Sequence, residues 1–430
     1  MFSLTEVSRP AKRFLAVCIA IVLILSCIIV LTYNNYFLLG DLVKRNNDDV
    51  KYIHSARLLL NQGILAYNSG EQPSAFIMPG MPFLLAGVMA IFGQDDVGIN
   101  AFRILQCVMQ AFSVYLIFII GRRVFNTRVA LITAVICVLY PPDYYSSGSI
   151  LSETTFRTIQ LLLICLAFVA LDKRKTIWYV LIGLLVAVAA YFKPHATLYP
   201  AIFLILWWKQ KIGWKEMARY VGAMAAVYIV CLLPWWIRNM VTFDKFILFT
   251  NSGGSPFLLG TRIHGALPPA GFFVEHPEYD PKTIFQGADS SAVTKGLDIV
   301  KYGFMHEPLK YTYWYTIGRW VELYSHPFYS RPFWPVTRPV MNVLQIIMIV
   351  VSILGLVWAL IKHPMRRMAP LLLTLAYFTL IYQPFVAFNR YGYPNEIILF
   401  LFAAYLIDRL LSIRKNEPLL NANQGGTGIR

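Results

Sequence analysis

Residues 14–32 form an uninterrupted apolar run, F-L-A-V-C-I-A-I-V-L-I-L-S-C-I-I-V-L-T, with no charged side chain in it. About 18 or more such residues are enough to cross the hydrocarbon core of a bilayer as a helix. Comparable runs recur along the chain, which dictates a polytopic, all-α membrane protein. Only 14% of the residues are charged and 57% are apolar, against about 25% charged in an ordinary soluble domain. Intrinsic disorder, a secreted disulfide scaffold and a cytosolic enzyme are excluded. The first run lacks a small-residue cleavage site and continues into Thr32-Tyr33-Asn34-Asn35-Tyr36, so it reads as an uncleaved anchor. All six cysteines (Cys18, Cys27, Cys107, Cys137, Cys165 and Cys231) lie inside apolar runs, and no disulfide framework follows from them.

A net charge of +16 invites a nucleic-acid partner. Its placement argues otherwise. The basic clusters are Lys12-Arg13, Arg122-Arg123 with Arg128, Lys173-Arg174-Lys175, Lys209 to Arg219, Lys362 to Arg367, and Arg414-Lys415. They fall in short connectors between apolar runs and in the tails, the pattern that keeps such loops cytoplasmic. The charge therefore reports topology, and the expected partner is the bilayer, with no nucleic acid. On this orientation about ten spans are expected, at 14–33, 98–120, 129–147, 150–171, 176–192, 195–208, 218–237, 340–361, 368–386 and 394–412. Segment 79–93 is short and carries Pro79, Gly80 and Pro82; it reads as re-entrant or interfacial on the outer side.

The expected organisation is a transmembrane module over 1–237 with a first outer loop at 34–97. An extracytoplasmic loop or lid region follows at 238–339, then C-terminal spans at 340–413 and a cytoplasmic tail at 414–430. The last ten residues, N-A-N-Q-G-G-T-G-I-R, read as disordered. Cytoplasmic connectors are too short to build a site, whereas the outer segments are not.

Candidate chemistry gathers on that outer side. Asp48 and Asp49 open an amphipathic interfacial helix at 50–63 that carries Val50, Ile53, Ala56 or Arg57, and Leu60 on one stripe. Adjacent acids at a helix start also have a plain explanation, since carboxylates stabilise helix N-termini. Glu153 and Arg157 lie four apart near the outer end of a span, in the order that favours an ion pair on one helix face. Charges inside spans are costly and usually line polar cavities, although a structural ion pair explains them as well. Lys193-Pro194-His195 puts a cation at an outer helix break, where a snorkelling lysine is the plain alternative. Arg238 and Asn239 close P-W-W-I-R-N at 234–239, and Arg390 and Tyr391 open R-Y-G-Y-P at 390–394.

Asp48, Asp49, Glu153, Lys193, Arg238 and Arg390 thus converge on one leaflet from separate parts of the chain. Cations at a membrane surface suit a lipid-anchored anion such as a phosphate leaving group. A carboxylate there can take a proton from an attacking hydroxyl. Asp48, Glu153 and a histidine of the 238–339 segment would make three ligands for a divalent cation, yet no metal-ligand spacing is present and no metal site is assigned.

Together these pieces resemble the GT-C superfamily of membrane glycosyltransferases, in the branch of protein O-mannosyltransferases and the lipid A aminoarabinose transferase. The matching motifs occur in family order: D-D-V-K-Y at 48–52, P-G-M-P at 79–82, R-R-V-F at 122–125, L-S-E-T-T-F at 151–156, K-P-H-A at 193–196, P-W-W-I-R-N and R-Y-G-Y-P. The resemblance spans residues 14–412. It implies a GT-C-like bundle with interfacial helices in the first outer loop. It also implies transfer of a sugar from a polyprenyl monophosphate carrier to a lipid-linked, glycan or protein acceptor on the extracytoplasmic face, usually with inversion. By the same resemblance Asp48 is the base, with Asp49 and Glu153 as further catalytic acids. Lys51, Tyr52, Arg157, Lys193, His195, Arg238, Asn239, Arg390 and Tyr391 are the substrate-binding candidates. Asp49 stands where Glu is common, Lys51 where the aminoarabinose enzymes often have Arg, and the chain ends soon after its last span. Short connectors and a compact tail suit a bacterial inner membrane. The rival reading is a lipid-linked-glycan flippase or other transporter, with the same charges lining a path.

Overall fold

The computed structural model describes residues 4–68, 70–286 and 289–416. The expected disordered segment 421–430, and the tail beyond Asn416, lie outside the described residues. In chain order, α1 (Arg9–Tyr33) leads into the first outer loop, which holds α2 (Asp48–Gln62) and α3 (Gly80–Phe92). Next come α4 (Asp96–Val124), α5 (Thr127–Val138), α6 (Pro141–Gly148), α7 (Glu153–Lys173), α8 (Thr176–Phe192), α9 (Ile202–Lys209) and α10 (Trp214–Phe243). The second outer segment carries α11 (Gly254–Gly260), α12 (Ala270–Glu275), α13 (Asp289–His306), α14 (Pro308–Tyr313) and α15 (Arg319–Tyr324). The chain returns through α16 (Arg338–Lys362), α17 (Met365–Leu380) and α18 (Asn389–Asn416). No strand occurs among the described residues.

Among these, α1, α4, α7, α10 and α16 are long and apolar enough to cross a membrane, and α5 with α6 makes a bent sixth. The protein is an integral membrane protein, and its surface shows why. On α1, Phe14, Val17, Ile21, Ile24, Ile28 and Leu31 are exposed at spacings of three and four. The opposite face of Leu15, Cys18, Val22 and Val30 is buried in the core. An apolar stripe of that length is untenable in water and is what lipid requires. Ser8 caps the helix through its side chain, which accepts from the backbone N–H of Ala11.

Two expected spans are not continuous. Residues 129–147 form α5 and α6, bent by 60°. The tandem Pro141-Pro142 supplies no N–H to continue the α5 ladder but suits the first turn of a new helix, which is where it sits. Residues 195–208 begin as a 3-10 helix, Pro194–Ala201, before α9 starts; Pro200 removes the donor that an α-helix would need there. Segment 79–93 is a genuine helix of about 20 Å, too short to cross a bilayer. Its Gly80 and Pro82 lie in the first turn, where they cost little. In the opposite sense α10 runs past the expected boundary at 237 to Phe243, so Arg238 and Asn239 are helical. The six cysteines are free thiols.

The two outer segments grip each other and thereby hold the first loop. Arg331 donates to the Leu38 carbonyl at 3.2 Å and Tyr36 donates to Pro332 at 2.9 Å. Farther along, Ser252 donates to the Phe76 carbonyl at 2.6 Å and the Asn251 N–H to Ala75 at 3.0 Å. The second segment has its own small core around Leu258, Phe272, Ile284, Ile299 and Tyr311. It docks on α18 through α15, where a Cβ at Gly392 would lie 2.2 Å from the Leu323 carbonyl oxygen. The glycine of R-Y-G-Y-P is thus a packing requirement.

Helices α16 and α18 make the most extensive pairing in the bundle. The buried face of α16 carries Ser352, Gly355 and Ala359, a small-residue surface of the kind that lets membrane helices approach closely. A Cβ at Gly355 would meet the Phe402 carbonyl oxygen at 2.0 Å. Gly355→Leu is therefore expected to separate the two helices at a cost of at least 1–3 kcal/mol, roughly, seen as a lowered thermal midpoint in detergent. An unchanged midpoint would contradict this packing.

Candidate active site

Asn47 caps α2, and Asp48 and Asp49 follow in its first turn, as capping chemistry requires. The two carboxylates nevertheless part company, because successive residues on a helix point about 100° apart. Asp49 is fully buried and accepts from the backbone N–H groups of Leu39 (2.5 Å), Gly40 (3.3 Å) and Val50 (2.8 Å). Burial pushes its carboxyl up, against the pull of these three donors. Its work is to pin the 38–40 backbone to the start of α2. Expected beside Asp48 as a catalytic acid, it turns away into the backbone.

Asp48 faces the other way and keeps about a third of its side chain exposed, at 31%. Its Oδ2 accepts from Arg390 Nη2 at 2.7 Å, and its Oδ1 accepts from the Tyr67 hydroxyl at 2.5 Å. Burial would push this carboxyl up, but the Arg390 guanidinium, the Tyr67 hydrogen bond and the Lys51 charge outweigh it and hold Asp48 below the ordinary carboxylate range. Lys51 lies 5.0 Å from the centre of the Tyr67 ring and donates to Asn68 at 2.8 Å. Tyr52 lies within electrostatic reach of Asp48, Arg390, Glu153 and Tyr391.

Helix α7 starts at Glu153, whose Oε1 accepts from Lys193 Nζ at 3.1 Å, both side chains being more than nine-tenths buried. Glu153 Oε2 is buried with no partner among the described residues. Lys193 sits 4.8 Å from the Tyr391 ring centre and 5.5 Å from that of Phe156. Arg390 interacts electrostatically with Glu153 as well as Asp48. His195 meets the Tyr382 hydroxyl at 2.9 Å, and Tyr382 stacks on Tyr391 with ring centres 5.2 Å apart. Four separate stretches of chain therefore meet in one place, with carboxylates and cations alternating inside an aromatic wall of Tyr52, Tyr391, Tyr382 and Phe156.

Two expectations change. The i,i+4 pair of Glu153 with Arg157 does not form. Arg157 Nη1 bonds Asp143 Oδ1 at 2.6 Å instead, both fully buried, and its guanidinium lies 3.8 Å from the Tyr393 ring centre. Because Asp143 enters on α6, the bend at Pro141-Pro142 decides this partnership. Arg157 is sealed away from any substrate surface. Arg238 donates to the carbonyls of Ser74 (3.0 Å) and Leu65 (3.4 Å), and to Asn239 at 2.9 Å. Asn239 in turn is buried and donates to Ile247. That pair ties down Leu65 and Ser74, on either side of Tyr67 in the chain. Finally, the outer histidines serve local partners: His264 faces Glu322, His276 faces Glu278, His306 faces Glu275, and His326 bonds Ser325. Among the described residues no three His, Cys, Asp or Glu side chains are grouped to hold a metal ion.

Tyr67 and Asp143 escaped sequence reasoning. Tyr67 stands in a turn with no motif around it, and only its bond to Asp48 marks it. Asp143 could have been found from the cost of a charge inside a predicted span, the signal that singled out Glu153.

This arrangement sits on a known scaffold: the fold is similar to that of the oligosaccharyltransferase of Archaeoglobus fulgidus. Residues 72–237 match the family described as dolichyl-phosphate-mannose-protein mannosyltransferase. The Archaeoglobus fulgidus oligosaccharyltransferase in the apo form is similar at a TM-score of 0.52 and 14% identity, covering 95% of this chain and 52% of that one. The oligosaccharyltransferase AglB of the same organism, in complex with an inhibitory peptide and a dolichol-phosphate, is similar at 0.52 and 13% identity over the same shares. ArnT from Cupriavidus metallidurans in the apo state gives 0.45 and 15% identity, covering 95% of this chain and 80% of that one. The chain spans about half the length of the oligosaccharyltransferases it matches. No curated protein matches it by sequence.

The buried pair yields one prediction. Arg157→Gln leaves the Asp143 charge without its cation and is expected to cost about 3–5 kcal/mol, measured as a fall in thermal midpoint, whereas Asp143→Asn with Arg157→Gln together should recover part of it. A second concerns pH. Asp48 titrates below its unfolded value of about 3.9, so its contacts add stability above that pH and lose it as pH falls through the lower folded value. Arg390→Gln should shift the Asp48 titration upward in a carboxylate-resolved infrared or NMR measurement; an unmoved titration would mean that Arg390 does not hold the charge.

Proposed function

We propose that the protein is an integral-membrane glycosyltransferase that moves a sugar from a polyprenyl-phosphate donor to a hydroxyl-bearing acceptor on the extracytoplasmic face, with inversion. The observation that carries the reading is the meeting of the Asp48–Arg390 and Glu153–Lys193 pairs in one aromatic-walled site, beside short interfacial helices. The family match and the dolichol-phosphate in the complex of a protein of like fold support a lipid-phosphate donor. The acceptor peptide tethered to the Archaeoglobus fulgidus oligosaccharyltransferase in another structure of that protein makes a protein acceptor one option, beside a lipid-linked or glycan one. The basic connectors support a cytoplasmic placement of the opposite face, and a bacterial inner membrane is the setting proposed.

In the proposed step the acceptor hydroxyl oxygen attacks the anomeric carbon opposite the phosphate. The hydroxyl proton passes to Asp48, the bond from the anomeric carbon to the phosphate oxygen breaks, and its electrons leave with the polyprenyl phosphate, which gains one negative charge. Arg390 and Lys193 lie where that charge would grow. Glu153 acts through Lys193 as a positioning residue, and Tyr391 and Tyr382 offer ring faces to the sugar. Lys51, Tyr52 and His195 border the site as binding residues. Arg157, Arg238 and Asn239 support it from behind, and Asp49 fixes the loop that presents Asp48. The 238–339 region is proposed as the platform on which the acceptor lies.

The test is sugar transfer by the purified protein in lipid nanodiscs, with a panel of radiolabelled polyprenyl-phosphate sugars and a membrane extract as acceptor source. Asp48→Asn should lower turnover by at least about 100-fold while donor binding persists. Lys193→Met should lower it by a comparable factor. If no donor turns over, but labelled lipid changes leaflet equally in parent and Asp48→Asn, the protein is a transporter and the assignment falls.

A further inference from the structure

The face opposite the Asp48 cluster carries a second charged feature. A cavity of about 510 Å³ opens where α4, α7, α9 and α17 end or begin, lined by Arg123, Asp172, Arg366 and Arg367 together with the apolar Phe168 and Leu171. From Glu153 to Asp172 along α7 is about 28 Å, so the cavity is separate from the candidate active site by the thickness of a bilayer core.

Three guanidiniums share this space with one carboxylate. Asp172 already binds Arg123, with 2.7 and 2.8 Å from one Nη2 to its two oxygens. Arg367 is oriented by the main chain, donating to the carbonyls of Arg123 (3.4 Å) and Phe125 (3.1 Å). Such a bond spends donors and leaves the charge uncompensated. The Arg366 guanidinium makes no hydrogen bond or ion pair among the described residues. Two cationic charges therefore remain unbalanced in a concave site. The amino end of α17, a helix of 16 residues, also faces it and adds positive potential.

We propose that this cavity binds the phosphate headgroup of an anionic phospholipid from the adjoining leaflet. Guanidinium forks match phosphate oxygens in pairs. The mixed lining suits a headgroup whose glycerol and acyl chains continue along apolar side chains, which a free inorganic anion would not use. The face is the one bearing the basic connectors, hence the cytoplasmic leaflet, where acidic lipids reside. A lipid here would bridge the ends of α4, α7 and α17 from outside the active site.

The test uses the full chain, delipidated in detergent, and native mass spectrometry with thermal unfolding. The probes are dioctanoyl phosphatidylglycerol, dioctanoyl phosphatidylcholine and inorganic phosphate at equal concentration. Phosphatidylglycerol alone should remain bound and raise the midpoint. Arg123→Gln with Arg366→Gln should weaken it about 25-fold, at about fivefold for each arginine. Where the double variant misfolds, Arg366→Gln alone decides, since its guanidinium has no partner to lose among the described residues; it should show the fivefold loss with unchanged helicity. Equal binding of phosphatidylcholine, equal protection by inorganic phosphate, or unchanged phosphatidylglycerol affinity in Arg366→Gln each overturns the proposal.

Discussion

A charge held in or beside hydrocarbon has to find its counter-charge within the protein, and much of this architecture follows from meeting that demand. Asp143 and Arg157 meet it with each other: both are wholly buried, Tyr393 covers the guanidinium, and Asp143 Oδ2 and Arg157 Nε make no hydrogen bond among the described residues. Their bond ties α6 to α7, and Tyr393 brings in α18. Once α18 is fixed, its first turn carries Arg390 and Tyr391 to the mouth of the bundle. Removing that buried pair would leave the cations of the candidate site without a fixed origin.

The same demand is met more loosely at the candidate site. Glu153 and Lys193 are paired at 3.1 Å, a longer contact than the 2.6 Å of Asp143 with Arg157. Asp48 and Arg390 are paired but remain partly exposed. The Asp48–Arg390 pair can change partners at the surface, whereas Asp143 with Arg157 cannot do so without opening the core. Asp49 illustrates a third outcome, a carboxylate satisfied by backbone N–H groups and so withdrawn from chemistry altogether.

Glycine and proline set the geometry in which these pairs meet. Pro141-Pro142 bends the chain between α5 and α6 and so aims Asp143 inward. Pro194 ends the α8 ladder just after Lys193, leaving that residue extended at the break. Gly392 admits the Leu323 carbonyl against α18, which anchors the second outer segment above the site. The outer loops are then stitched to each other by side chains such as Arg331 and Ser252 bonding to main-chain carbonyls.

Some of this was legible in the chain itself. Apolar runs determine a membrane bundle, and basic connectors supply an expected orientation, because hydrophobic transfer and the charge of short loops are properties of local sequence. The amphipathic start at Asp48 and the isolated charges Glu153, Lys193 and Arg390 are local in the same sense, and all four meet in the site. What each charge pairs with was not local. Glu153 and Arg157 satisfy the spacing rule for a helical pair, yet a residue from α6 takes Arg157 and one from the α8 break takes Glu153. Arg238 is a substrate-binding candidate by sequence and in the structure holds a loop, since the carbonyls of Leu65 and Ser74 arrive from far away in sequence. Tyr67 had no signal at all. Sequence determines which groups must be neutralised; tertiary structure decides by whom, because desolvation fixes the cost of leaving a charge unpaired while only the packing of distant elements supplies the partner.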